Sequence, residues 1–156
     1  MVRFLWYPED TYAISEWRYI DKLLSCLGYA PTIVDRLGRF RPTSPAALTN
    51  PQVALHIFGS TVAARNHYAG AGYTFVTTHP DATLNVKDFQ HPTTGNILYA
   101  VGSDMDGFDG RSLAQLEAIS TVLSLKTKVT SYELFAQVAL PMLAMDRWCR
   151  TPEDWV

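Results

Sequence analysis

The strongest constraint on this chain is the alternation of short apolar runs with amphipathic helical segments. Residues 3–7, Arg-Phe-Leu-Trp-Tyr, form a compact apolar and aromatic run that Pro8 stops, the pattern of a buried strand. Trp17, Ile20, Leu24 and Leu27 follow at helical spacing, and Gly28 is the stop signal. Short strands are predicted over 32–34, 53–58 and 73–77, with a helix between the last two that starts at Ser60 or Thr61 and ends at Gly70 and Gly72. Residues 96–101 are continuously apolar after Asn96 and run into a glycine-rich turn, as buried parallel strands do. A helix over 112–120 and a strand over 121–125 come next. Thr130 and Glu133 then set up a T-x-x-E capping box for a last helix. Tyr132, Phe135, Ala139, Met142 and Leu143 give that helix one apolar face, Pro141 is expected to kink it, and Pro152 is expected to end order. The pattern predicts an α/β fold, a mainly parallel sheet flanked by helices.

Length sets the scale of that fold. The 156 residues suit a single domain spanning 1–156, with a core that needs no disulfide staple. Hydrophobic residues at 47% and charged residues at 18% exclude a disordered tail. No apolar stretch approaches the roughly 18 residues of a membrane span, and the N-terminus does not read as a signal peptide, so a cytoplasmic protein is expected. A net charge of −2 excludes nucleic-acid binding by bulk positive charge, but not by a local patch such as Arg36, Arg39 and Arg41. Cys26 and Cys149 form no C-x-x-C pair and are expected to be buried free thiols.

Ligands of open α/β sheets bind beyond the carboxyl ends of the strands. Three such ends carry small or polar residues: Phe58-Gly59-Ser60, Gly102-Ser103-Asp104, and residues 125–131. Converging on one crevice, they would suit a nucleotide-like molecule held by main-chain groups. Gly59, Gly102, Gly107 and Gly110 serve equally well as plain turn formers, so that alternative stands. The four histidines show no metal-ligand spacing, and no metal site is expected. Asp104, Asp106 and Asp109 read as turn and cap residues, Ser103 lies in no nucleophile elbow, and both G-x-G-x-x-G and the P-loop are absent.

Three segments carry a family likeness. Leu5-Trp6-Tyr7-Pro8-Glu9 ends a strand in proline and an acid, ahead of a helix and Leu27-Gly28-Tyr29. Residues 99–108, Tyr-Ala-Val-Gly-Ser-Asp-Met-Asp-Gly-Phe, form a strand followed by a G-x-[E/D]-x-x-G-[L/F] turn. Residues 122–125 lead through a short loop into Thr130-Ser131-Tyr132-Glu133 and an apolar helix. In this order and spacing they resemble the SpoU-like branch of the SPOUT RNA methyltransferases. Those are α/β-knot proteins that use S-adenosylmethionine to methylate ribose 2′-hydroxyls of tRNA or rRNA.

The resemblance implies a C-terminal trefoil knot and a cofactor held by Phe58, Gly59, Gly102, Asp104, Gly107, Leu125 and Ser131. It implies a homodimer built on the first and last helices, with Trp17, Met145 and Trp148 as candidate apolar contributors, and an RNA substrate such as tRNA, with Arg36, Arg39 and Arg41 on phosphates. The family's catalytic arginine, six residues before the helix-ending glycine, falls on Lys22, and its asparagine and glycine fall on Glu16 and Arg18. Arg18 lies one helical turn from Lys22 and could supply the guanidinium fork that lysine lacks. Ser131 and Glu133 complete the implied catalytic set, with Glu133 standing where the family has asparagine. These departures leave two alternatives: a relative methylating another acceptor, and a catalytically silent binding module. A flavodoxin-like nucleotide binder without a knot is a further rival.

Overall fold

The computed structural model describes residues 1–8, 14–40, 55–102, 110–125 and 136–155, with the backbone alone at 14–15, 110–113 and 136. Seven strands are described: β1 (Val2–Trp6), β2 (Ala30–Val34), β3 (His56–Phe58), β4 (Thr74–Thr78), β5 (Leu84–Asn85), β6 (Ile97–Val101) and β7 (Ser120–Ser124). The helices are α1 (Ile14–Leu27), α2 (Thr61–Gly70), α3 (Gly110–Glu117) and α4 (Ala136–Arg150). The strands form one sheet in the order β3-β2-β1-β6-β4-β7-β5, and every pairing is parallel. The mainly parallel sheet read from the sequence is thus all parallel over the described strands.

Period-two alternation sends successive residues to opposite faces, and helices cover both. Phe4, Trp6, Tyr99, Val101, Val76 and Leu123 pack against Trp17, Ile20 and Leu24 of α1 and Leu140, Leu143 and Ala144 of α4. Leu5, Tyr7, Phe75, Leu98 and Ala100 face Ala64 and Tyr68 of α2 and Leu116 of α3. Double coverage explains why β1 and β6 read as unbroken apolar runs. Trp17 stacks on Trp6 at 6.2 Å and meets the Phe40 edge at 5.5 Å, pinning α1 over the carboxyl ends of β1 and β2. Gly28 ends α1 with φ +76°, the left-handed position that glycine adopts without a Cβ penalty, while the Tyr29 N–H returns to the Leu24 carbonyl.

Several sequence expectations need correction. Cys26 and Cys149 are exposed rather than buried, because both lie off the apolar stripes of their helices. Residues 118–120 leave α3: the Ser120 hydroxyl donates to the Leu116 carbonyl while Ser120 pairs with Phe75 to start β7. Pro152 does not end order. Residues 152–154 form a 3-10 turn, and Asp154 accepts from Arg147 Nε at 2.9 Å and Tyr29 OH at 2.7 Å. Trp17 is fully buried and so belongs to the core, not to a subunit surface. The residue 130–133 capping box lies outside the described residues, as do residues 53–54 of the third expected strand.

That C-terminal turn belongs to a buried polar network. Arg147, 1% exposed, donates to Tyr99 OH at 2.8 Å and to the Pro92 carbonyl at 2.8 Å. Because arginine can only donate, the Tyr99 hydroxyl turns its own proton to His91 Nδ1 at 2.7 Å, and His91 Nε2–H donates to Asp146 at 2.8 Å. Burial pushes the Tyr99 hydroxyl up to about 12 and holds His91 below its ordinary value despite Asp146. Arg150 closes the chain on Asp146 at 2.6 Å.

Candidate active site

The carboxyl edge of the sheet is where the sequence placed a ligand crevice. Register fixes its geography: Trp6 pairs with Val101, Thr77 with Ala100, and Thr78 with Leu123. Gly102, Thr78 and Leu125 therefore follow or end three adjacent strands, β6, β4 and β7, and all three are half-buried.

Phe58 and Gly59 lie elsewhere. β2 and β1 stand between β3 and β6, which puts the end of β3 about 14 Å away, three strand spacings. Local bonds explain what that end does instead. The Phe58 carbonyl accepts from Asp35 N–H at 2.8 Å, and Ser60 caps α2 by accepting from Ala63 N–H at 3.1 Å. A Cβ added at Gly59 would meet nothing within 4 Å, so no close approach of backbone calls for glycine there. Of the three expected ends, that of β3 stands apart, while those of β6 and β7 flank the end of β4, which the sequence reading passed over. Nothing in the local sequence of Thr77-Thr78-His79 marks it; only the order of strands does.

The β4 end is fastened to β7. His79 N–H donates to the Leu123 carbonyl at 2.9 Å and the Ser124 hydroxyl to the Pro80 carbonyl at 3.4 Å. His79 Nδ1 accepts from Asp81 N–H at 3.1 Å, so its remaining proton sits on Nε2. Across the edge, Tyr7 N–H donates to the Val101 carbonyl at 3.0 Å, and the Arg36 guanidinium lies 4.9 Å over the Tyr7 ring. Asp35 spends both carboxylate oxygens on the backbone N–H groups of Arg39 and Phe40, shaping the turn that exposes Arg36 and Arg39.

On α1, Arg18 and Lys22 are exposed one turn apart, on a different flank from Glu16. Glu16 is half-buried and accepts from Gln137 Nε2 of α4 at 3.4 Å, which joins the first turns of the two helices. Asp104, Gly107, Ser131, Glu133 and Arg41 lie outside the described residues.

These features define a three-layer α/β protein in which the carboxyl ends of β6, β4 and β7 lie side by side. No protein-family model matches the sequence, and no curated protein matches it. Solved structures do match the fold. A structure described as giving insights into the 2-OH methylation of C/U34 on tRNA superposes with a TM-score of 0.73 at 16% identity, over 96% of this chain and 95% of that one. The TrmH/SpoU tRNA modifying enzyme of A. aeolicus gives 0.70 at 11% identity, over 98% of this chain and 77% of that one. The SpoU methyltransferase AviRb of Streptomyces viridochromogenes, solved with the cofactor AdoMet, gives 0.70 at 13% identity, and the match spans 94% of this chain and 56% of that one. The fold is that of the SpoU/TrmH RNA methyltransferases.

Proposed function

We propose that this protein is an S-adenosylmethionine-dependent RNA methyltransferase acting on a ribose 2′-hydroxyl of tRNA or rRNA. The observation that carries this reading is the coincidence of the SpoU/TrmH fold with three adjacent parallel strand ends, Gly102, Thr78 and Leu125. Their chemistry fits the cofactor. Main-chain groups, the Thr78 hydroxyl and the His79 Nε2–H supply neutral hydrogen bonds for an adenosine, and Leu125 offers apolar contact. In this reading Asp104, Gly107 and Ser131 complete the grip, beside a trefoil knot in the chain. Phe58 and Gly59 are set aside on distance.

The cofactor, when bound, supplies an electrophilic methyl group, so the protein has to align the hydroxyl and take its proton. Arg36 and Arg39, together with Arg41, engage phosphates, and Arg18 and Lys22 approach the acceptor strand. Ser131 and Glu133, which precede the last helix in the sequence, are assigned to the acceptor. A homodimer in the cytoplasm completes the proposal. Exposed Tyr19 on α1, 78% accessible, and Val138, Met142 and Met145 at helical spacing on α4 supply its apolar face. Monomeric sedimentation at micromolar concentration would remove the dimer.

Isothermal titration with S-adenosylmethionine and S-adenosylhomocysteine tests the core of the reading. Micromolar binding of either is expected, and no heat with both ends the proposal. Transfer of a tritiated methyl group into total RNA is expected as well; its absence alongside cofactor binding would favour the silent module or another acceptor.

A further inference from the structure

Charge is divided unequally along this chain. Residues 36–80 contain Arg36, Arg39, Arg41 and Arg65 and not one Asp or Glu, whereas the rest of the chain sets nine Lys and Arg against fifteen Asp and Glu. A stretch of net charge +4 is thus outweighed by −6 elsewhere. The fold gathers much of the described part of that stretch on one flank. Among the described strands β3 lies at one edge of the sheet. α2 follows it and lays Thr61, Ala64 and Tyr68 inward. The turn that bears exposed Arg36 and Arg39 is tied to the end of β3 by the Asp35 N–H bond to the Phe58 carbonyl.

The outward side of α2 presents Val62, Ala63, Asn66, Ala69 and Gly70, all exposed and uncharged. Arg65 and His67 rise on its two flanks. Arg65 Nη1 donates to Asn66 Oδ1 at 3.1 Å, which draws the guanidinium to the outward side. Cations on other surfaces are neutralised, Lys87 by Asp88 at 2.7 Å and Arg150 by Asp146 at 2.6 Å. Arg65 meets no carboxylate among the described residues, and α3, packed beside α2, brings only Glu117, with which it forms no ion pair. On the other flank the His67 ring packs on Tyr68, Phe58 and His56 at 4.9, 5.4 and 5.7 Å, carrying the surface of α2 onto the β3 edge.

Resting on the RNA substrate of the reading above, we propose that the outward side of α2, flanked by Arg65 and His67, docks the sugar–phosphate backbone of that RNA beyond its reacting nucleotide. Charge complementarity selects the partner: an acid-free surface with an unpaired guanidinium suits a run of phosphates, which positioning contacts of this kind hold without reading sequence. A membrane surface would call for large apolar side chains on the same face, and a protein partner for an aromatic or aliphatic anchor; Val62 is the one apolar side chain larger than alanine there. The ten residues of α2 span about 15 Å, so the contact continues the phosphate path of Arg36 and Arg39 along the flank and requires an RNA that extends well past the modified position.

The test compares Arg65→Gln, Arg65→Glu and Arg65→Lys in the full chain with Lys87→Gln, which removes an exposed cation beside β5 at the opposite edge of the sheet. Thermal melting checks each fold, and affinity for bulk tRNA is measured across a salt series. Arg65→Gln is expected to weaken binding about 3- to 10-fold and to make the salt slope shallower by about one; Arg65→Glu should weaken it further, and Arg65→Lys should restore most of it. In methyl transfer, KM for RNA should rise in Arg65→Glu while kcat and S-adenosylmethionine affinity stay as in the wild type. Unchanged tRNA affinity and slope in a folded Arg65→Glu overturn the docking face and leave the methyltransferase reading intact. Loss of binding to phosphatidylserine vesicles in its place would assign the face to a membrane and overturn it as well. So would an equal weakening by Lys87→Gln, since the effect would then follow net charge alone. A wild type that binds tRNA through Arg65 but binds no S-adenosylmethionine keeps the docking face and removes the methyltransferase.

Discussion

The two ends of α4 are built on opposite principles. At its C-terminal end Arg147, Asp146 and Arg150 join His91, Tyr99, Tyr29 and Asp154 in a network whose short bonds run from 2.6 to 2.9 Å. At its N-terminal end the bond from Gln137 to Glu16 is 3.4 Å long, and the neighbouring strand ends at Gly102, Thr78 and Leu125 are half-buried. The first arrangement fixes a helix against a sheet. The second leaves the strand ends at the partly exposed edge of the sheet, where the proposed ligand would sit. Rigidity at one end of the helix permits adaptability at the other, which is how a scaffold holds a site in place.

The sharpest way to break this contrast is Arg147→Met. Removing a buried cation while Asp154 and the Tyr99 hydroxyl stay behind should cost about 3–5 kcal/mol in denaturant unfolding. A loss under about 1 kcal/mol would mean that the network holds nothing. A double-mutant cycle with Asp154→Asn should show strong coupling, since the two groups share one ion pair.

Acid probes that end through His91, and the β3 edge of the sheet through His56, with a smaller effect. Burial lowers the folded-state pKa of His91 and of His56; His56 is held neutral because Arg3 Nη2–H can only donate to its Nε2, leaving Nδ1–H for Tyr68 OH at 2.7 Å. Each imidazole therefore binds its proton more readily in the unfolded chain. Stability is complete above the unfolded value of about 6.5 and is lost as pH falls from there through the folded values. Melting temperature should drop between about pH 7.5 and 5.5, and His91→Gln should flatten that drop. A wild-type melting temperature unchanged across the window would contradict neutral buried histidines.

Much of the fold was legible because it rests on local rules. The Trp17-Ile20-Leu24-Leu27 stripe and Gly28 gave α1 its face and its stop, and unbroken burial gave β6. The order of strand ends along the carboxyl edge was less legible. Gly102 and Leu125 carried a signal, but Thr78 and His79 did not, because their relevance comes from β4 lying between β6 and β7, a non-local fact. The same holds for Arg147: its four-residue stretch Asp-Arg-Trp-Cys reads as a helix surface until Tyr99, Pro92 and Asp154 arrive from other parts of the chain. β5, two residues long, has no period to detect. Exposure of Cys26 and Cys149 was missed because cysteine's average preference for burial says nothing about which side of a helix it occupies.

The smallest structural effect belongs to the opposite end of the comparison. Arg18 and Lys22 are exposed on α1 and touch neither the core nor the network, so replacing both with alanine should shift stability by no more than about 0.5 kcal/mol. If they approach the acceptor strand, the double variant should still bind S-adenosylmethionine while KM for RNA rises, because two positive charges near phosphates are gone. The salt dependence of RNA binding should become shallower by about one to two counterions, read from the slope of affinity against salt. An unchanged slope with unchanged transfer would place the RNA path elsewhere, along Arg36 and Arg39. There Arg36 lies over Tyr7, next to the end of β6, and the same pair of measurements on Arg36→Ala would then carry the effect.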